Sequence, residues 1–187
     1  LSKQKLRSLV RHEVRRRLIA GGLDVAAVLA RAGAMPGARG LGAIFTLHHV
    51  RPFEPQGFQP NRHLEIEPEF LDEALGQLSR DGYEFIDLAD VPARLASPRE
   101  RPFAVFTLDD GNRNNAEHAM PVFIKHQAPF TIFVTKGFVE RSHSLWWETI
   151  TELLRQQSSI TFDFGSGGET LAVASPGDKL RAFKRFC

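Results

Sequence analysis

The spacing of hydrophobic residues predicts a helix at the start of the chain. Leucine and valine recur every four residues, with arginine and lysine between them, at Leu6, Val10, Val14 and Leu18. This pattern is typical of an amphipathic helix, here over residues 3–20, and Gly21-Gly22 predicts its end. Residues 31–40 are rich in Gly, Ala and Pro, which indicates a linker. We therefore expect residues 1–40 to form a helix and linker that are separate from the rest of the chain.

From residue 41 onward, short apolar runs alternate with segments of helical spacing. The apolar runs predict strands at 41–47, 83–88, 103–108 and 130–135, and a possible strand at 160–164. Helices are predicted from Pro68 to an end at Gly82 and at 90–96, 115–127, 145–156 and 176–186, with a loop at 51–63. The first of these helices has its apolar face at Phe70, Leu71, Leu75 and Leu78. Strands that alternate with helices predict an α/β fold with a parallel sheet.

The length of this second segment, residues 41–187, limits the kind of sheet. A complete eight-fold (β/α) barrel needs about 250 residues. The segment is long enough for only four or five strand–helix units. We therefore expect either a smaller barrel or a barrel of which part lies beyond residue 187.

The composition narrows the class of protein. The chain has 187 residues, of which 42% are hydrophobic and 25% are charged, as in an average globular domain. Its single cysteine excludes a disulfide framework and a cysteine-based zinc site. No apolar run approaches the roughly 18 residues that span a bilayer, and no signal peptide is visible. The compartment stays open between the cytoplasm and the cell envelope.

The charge is uneven along the chain. Residues 1–40 contain nine basic and two acidic residues, whereas the remainder contains fifteen basic and twenty acidic residues. The basic excess therefore belongs to the N-terminal segment, and a general nucleic-acid surface is not supported. Three interpretations of residues 1–20 stay open: a helix with a solvated basic face, a contact with an anionic membrane or polymer, or a mitochondrial-type presequence.

Two adjacent carboxylates follow the most apolar predicted strand. Asp109 and Asp110 come directly after residues 103–108 and before Gly111 and a predicted helix. Active sites of parallel α/β folds collect at this end of the strands. Because successive residues there point in different directions, one carboxylate can bind a metal ion while the other stays free as a base. Asp-Asp-Gly is also common in turns and helix caps, so a purely structural interpretation is the alternative.

The same residues resemble a known family. Thr107-Leu108-Asp109-Asp110-Gly111 is similar to the T-F-D-D-G motif of the polysaccharide deacetylases, the NodB-homology family. Further similarities to motifs of the family follow in order at 119–123, 128–134, 137–138 and 145–147, and others precede the motif at 44–52 and 70–88. The resemblance covers about residues 41–150.

This resemblance implies a metal-dependent hydrolase that removes N-acetyl groups from a carbohydrate containing N-acetylglucosamine. The implied fold is an irregular, incomplete (β/α) barrel. Asp109 would be the catalytic base and Asp110 would bind the divalent ion, for which zinc is expected. His48 falls on the position where some members carry the catalytic acid, and it can lie opposite Asp109. The alternative is that His48 and His49 only form hydrogen bonds with loop backbone.

Three further candidate residues have both functional and structural interpretations. Arg113 either orients Asp109 or binds a sugar, or it forms a surface ion pair. Trp146 and Trp147 either stack on a sugar or pack inward.

The two histidines that would complete the metal site are missing from the expected pattern. The histidines after Asp110 are His118, His126 and His143, and no two of them are four residues apart. Either the pair lies beyond residue 187 or the metal site has been lost. In the second case the chain would be an inactive carbohydrate-binding module.

Overall fold

The computed structural model describes residues 40–97 and 101–186, together with positions 21, 22, 25, 26, 28, 29, 32 and 34. The contacts of the chain divide it into two units, Leu1–Gly40 and Leu41–Cys187. Gly21 and Gly22 are helical, whereas residues 1–20 before them and residues 23–24 after them lie outside the described residues. Glycine costs only about 1 kcal/mol in a helix, which does not by itself end one. The predicted helix over 3–20 and most of the predicted linker lie outside the described residues.

The second unit contains eight strands and six α-helices among the residues that are described. The strands are β1 (Gly42–Leu47), β2 (His49–Val50), β3 (Glu65–Ile66), β4 (Glu84–Phe85), β5 (Phe103–Leu108), β6 (Phe130–Ile132), β7 (Ser159–Phe162) and β8 (Glu169–Ala172). The helices are α1 (Pro68–Arg80), α2 (Val91–Ala96), α3 (Met120–Lys125), α4 (Lys136–Val139), α5 (Trp146–Gln156) and α6 (Pro176–Phe186).

Strand β5 is the centre of a four-stranded parallel sheet. It pairs with β1 along its whole length, with β4 at its start and with β6 at its end. All six residues of β5 are buried, as expected for a strand covered on both faces. The parallel arrangement that the sequence predicts is confirmed for these strands, although β4 and β6 are shorter than predicted.

Helices α1 and α3 supply apolar side chains to the main core. Leu71 and Leu75 of α1 and Phe123 of α3 are almost completely buried in one cluster with Phe106 of β5. Phe70, which the sequence places on the same apolar face of α1, is 60% exposed, so that assignment is wrong. Leu71, the next residue of the predicted face, does pack into the core.

The predicted helix over 115–127 has two parts. Asn115–Ala119 form a π-helical turn, and α3 follows from Met120. Pro121 stands in the first turn of α3, where a missing backbone N–H costs little. The proline therefore lies where the helix changes form, directly after the segment that carries the candidate site.

The C-terminal part of the unit differs from the prediction of an all-parallel sheet. Strands β7 and β8 form an antiparallel hairpin, and β8 was not predicted. The Asp163 carboxylate accepts hydrogen bonds from the backbone N–H groups of Gly165 and Gly167, which have positive φ angles and build the turn. A second core forms here between the hairpin, α5 and α6.

The described residues form a mixed α/β fold, and their sheet does not close into a barrel. Within this part of the chain, no helix combines the length and the apolar character needed to cross a membrane.

Candidate active site

The register of the central sheet brings His48 and Asp109 together. Leu47 of β1 is aligned with Leu108 of β5, so the two residues that follow are neighbours across the ladder. The Asp109 N–H donates to the Leu47 carbonyl at 2.9 Å, which extends the pairing by one bond. His48 Nε2 lies 3.8 Å from Asp109 Oδ2, and both side chains are about one-third exposed. We call these two residues the acid–base pair.

A tight turn follows the acid–base pair. Asp110 and Gly111 both have left-handed backbone, with φ angles of 72° and 67°. Aspartate is one of the few residues that tolerate this region, and strained residues of this kind cluster at functional sites. A Cβ atom at Gly111 would lie only 3.2 Å from Val134 Cγ2. The turn therefore requires glycine at position 111. Because the turn starts directly after Asp109, Asp110 no longer continues the line of β5.

Three asparagines hold the segment that carries His48. Asn112 Nδ2 and Asn115 Nδ2 donate to the His48 carbonyl at 3.3 and 2.9 Å. Asn114 Oδ1 accepts from the Val50 N–H at 3.2 Å. We call Asn112, Asn114 and Asn115 the asparagine frame. The sequence reasoning missed this frame, although three asparagines within four positions after Asp-Asp-Gly are a visible signal.

His49 has a different environment from His48. Its side chain is buried, and its Nδ1 lies 3.0 Å from Asn114 Nδ2. Because Asn114 Oδ1 accepts from Val50, the Asn114 amide donates to Nδ1, and His49 carries its proton on Nε2. That Nε2 faces Glu148 Oε1 of α5 at 3.9 Å. Burial, together with the nearby Arg51 charge, lowers the pKa of His49. His49 therefore stays neutral at neutral pH. Its ring contacts the side chains of Asn114 and Glu148, whereas the alternative interpretation expected bonds with loop backbone.

Glu148 is a further site residue that the sequence reasoning missed. It follows Trp146 and Trp147 in the first turn of α5. Its negative charge opposes the lowering of the His49 pKa. The negative charge of Asp110 also raises the pKa of His49. These carboxylates therefore lie near enough to His49 to influence its protonation.

The described residues do not fit a complete metal centre. Nowhere in the described part of the chain do three His, Cys, Asp or Glu side chains come together as a metal-binding group. His126 is bonded to Asp72 of α1 at 2.6 Å. His143 packs on Gly137, where a Cβ atom would lie 2.6 Å from its Nδ1. Asp110 thus has no histidine pair beside it among the described residues.

The other predicted residues lie in two cavities. Arg113 is exposed and lines a cavity of about 530 Å³. Trp146 and Trp147 line another of about 460 Å³, together with Phe138 and His143. Trp147 packs against the second core, whereas Trp146 is 46% exposed. Both rings border the cavity, and Trp146 is the more exposed of the two.

Comparison with known families identifies part of the chain. Residues 96–162 match the model of the family described as polysaccharide deacetylase. This segment includes Asp109, Asp110 and Arg113, whereas His48 lies before it. No curated protein sequence matches the chain significantly.

Several solved structures resemble the fold. The Streptococcus pyogenes deacetylase PplD in complex with acetate is 24% identical, with a TM-score of 0.47, over 55% of this chain and 46% of its own. IcaB from Ammonifex degensii is 22% identical, with a TM-score of 0.44, over 60% of this chain and 48% of its own. A de-N-acetylase from Aggregatibacter actinomycetemcomitans is 14% identical, with a TM-score of 0.42, over 77% and 50%. The chain thus spans about half the length of these relatives.

Proposed function

On the premise that residues 96–162 belong to the polysaccharide deacetylase family, we propose that the protein removes N-acetyl groups from a carbohydrate containing N-acetylglucosamine. The observation that carries this proposal is the acid–base pair, His48 and Asp109, at the carboxyl end of the central strands. Both side chains are accessible to a substrate, while the backbone beneath them is held by the asparagine frame.

The proposed chemistry uses the two side chains in different steps. Asp109 takes a proton from the water that attacks the acetamide carbonyl. His48 donates a proton to the sugar nitrogen as the C–N bond breaks, which releases acetate and a free amine. Imidazole is the side chain that changes charge nearest to neutral pH, and this suits it to proton donation. The separation of 3.8 Å between the two side chains leaves each free to contact the substrate.

A divalent ion, with zinc expected, and the role of Asp110 as one of its ligands are proposed from the family alone. The described residues do not complete such a site by themselves. The test is the metal content of the purified protein, which should be about one ion per chain and should be lost in Asp110→Ala. A protein that holds no metal while it releases acetate would overturn this part of the proposal.

Two further proposals concern the substrate and the fold. Arg113, Trp146 and Trp147 are proposed to contact the sugar, supported by the cavities that they line. The sheet is proposed to be part of an irregular (β/α) barrel. This is supported by the exposed apolar residues Ile44 on β1 and Phe133 just after β6.

Contact between residues 1–20 and an anionic surface is a separate proposal, supported by the basic excess of the N-terminal segment. It predicts binding to anionic liposomes that weakens with salt and disappears when residues 1–20 are deleted. An absence of binding at low salt would overturn it.

The activity is tested by Asp109→Asn, with acetate release from an N-acetylglucosamine oligosaccharide as the measurement. We expect a loss of about 10²–10⁴-fold, because the variant cannot accept the proton of water. Asp90→Asn, at an exposed aspartate in the turn after β4, is the matched control and should keep the native rate. Native activity in Asp109→Asn would contradict the proposal. Sugar binding without acetate release by the unaltered protein would favour the inactive binding module instead.

A further inference from the structure

His48 stands alone between two strands of different sheets. Strand β1 ends at Leu47 in the central sheet, and β2 begins at His49 in a separate two-stranded sheet with β3. A residue at such a break has no continuous ladder to orient its peptide group. The direction in which the His48 side chain leaves the backbone is therefore set by other contacts.

The asparagine frame supplies these contacts. The His48 carbonyl accepts from Asn115 Nδ2 at 2.9 Å and from Asn112 Nδ2 at 3.3 Å. Asn114 Oδ1 accepts from the N–H of Val50, two residues further along the chain. The backbone on both sides of His49 is thus held by side chains, in the place where a neighbouring strand holds a continuous sheet.

The frame also belongs to the segment that carries Asp109. Asn112 and Asn115 follow Asp109 by three and six residues, directly after the tight turn. The Asp109 N–H itself donates to the Leu47 carbonyl, next to His48. The two segments of the acid–base pair are therefore connected twice, once by this ladder bond and once by the frame. Two connections limit how far His48 and Asp109 can separate.

Asn115 has a cost that a purely structural role does not explain. It is completely buried, and its Oδ1 has no hydrogen-bond partner among the residues that the structure describes. A buried acceptor without a partner is unfavourable, and an apolar side chain of similar size would avoid it. Asn115 also begins the π-helical turn, a rare form that occurs frequently at functional sites. The donor that Asn115 offers to His48 is therefore the part of its side chain that accounts for its presence.

We propose that Asn112 and Asn115 are positioning residues for the general acid. Their bonds to the His48 carbonyl hold the imidazole where it donates a proton to the sugar nitrogen, while Asp109 acts on the water. Neither asparagine touches the substrate. This inference rests on the proposed function, because it assigns the two residues to the step in which the C–N bond breaks. A misplaced acid slows this step without weakening the binding of the substrate.

The test measures kcat and KM for acetate release from an N-acetylglucosamine tetramer, on the full protein and at a temperature where each variant is folded. Asn115→Ala should lower kcat about tenfold and leave KM unchanged, because a displaced catalytic group loses rate and not affinity. Asn112→Ala should lower kcat less, because its bond to the His48 carbonyl is longer. It also provides the test if Asn115→Ala does not fold.

Asn61→Ala is the matched control. Asn61 is also buried, but its amide donates to Thr151 on α5 and not to the segment that carries His48. This variant should be less stable than the native protein and keep the native kcat. An unchanged kcat in Asn115→Ala, or an equal fall of kcat in Asn61→Ala, would overturn the inference.

A structural measurement separates this inference from the proposed function. Crystal structures of the native protein and of Asn115→Ala should differ in the distance from His48 Nε2 to Asp109 Oδ2 by more than about 0.5 Å, the tolerance of catalytic geometry. If this distance changes but the native protein releases no acetate, the frame positions His48 and the deacetylase proposal fails. If the native protein releases acetate and the variant keeps both the distance and kcat, the deacetylase proposal stands and the positioning role fails.

Discussion

The acid–base pair and the asparagine frame lie only a few residues apart, yet they differ in burial and bonding. The side chains of His48 and Asp109 are about one-third exposed and lie 3.8 Å apart, which is too far for a hydrogen bond. Asn115 is completely buried, and its amide is bonded to the backbone carbonyl of His48. The two side chains are therefore left free, while the backbone carbonyl of His48 is fixed by the asparagine frame. Variants of the two groups should therefore fail in different ways.

The largest effect is expected for the acid–base pair. His48→Gln removes the proposed proton donor and should lower acetate release by about 10²–10³-fold, since general acid catalysis contributes on this scale. The melting temperature should stay close to the native value, because His48 makes no buried side-chain bond. Thermal unfolding measured beside the acetate assay checks both expectations. An inactive variant that is also unfolded would show that His48 belongs to the frame instead.

The asparagine frame should show the opposite behaviour. Asn115→Ala removes a buried donor to the His48 carbonyl and should lower the free energy of unfolding by about 1–2 kcal/mol. Asn112→Ala is the matched comparison, because Asn112 donates to the same carbonyl from a half-buried position and over a longer distance. We expect a loss of less than about 1 kcal/mol for it. Urea unfolding of both variants provides the measurement, and equal losses would contradict the difference in burial.

The central strand and the position of the acid–base pair could be predicted from the sequence. Residues 103–108 form one short apolar run that favours a buried strand, and two aspartates directly after it mark its carboxyl end. His48 and His49 are chemically the same in the sequence, and only the fold shows which one is buried. The asparagine frame depends on bonds between residues 64 to 67 positions apart, which leave no periodic pattern. Strand β8 was missed because its short alternation resembles a loop.

Burial of His49 should make the stability of the protein depend on pH. The pKa of His49 is lowered below 6.5 by burial and by Arg51, so below pH 6.5 the unfolded chain binds a proton that the folded chain does not. The contribution of His49 to stability is therefore complete above pH 6.5 and is lost as the pH falls toward its lower folded pKa. His49→Gln should flatten the loss of stability that begins below pH 6.5. Urea titrations from pH 7.5 to about 5 check this, and an unchanged decline in His49→Gln would contradict the assignment.

The smallest effect is expected for Glu148. Its carboxylate is about one-third exposed and lies 3.9 Å from His49 Nε2, so the interaction contributes less than about 1 kcal/mol. Because the charge of Glu148 raises the pKa of His49, Glu148→Gln should lower that pKa further. NMR titration of the His49 ring measures this directly. A rise of the pKa in this variant would show that Glu148 does not face His49 in solution.

Asp109 and His48 are proposed to serve the same reaction as one catalytic unit, and a double-variant cycle tests this most directly. Acetate release is measured for Asp109→Asn, His48→Gln and the double variant. Residues that act together are strongly non-additive, so the double variant should be about as slow as the slower single variant. Losses that multiply, or native rates in either single variant, would contradict the claim.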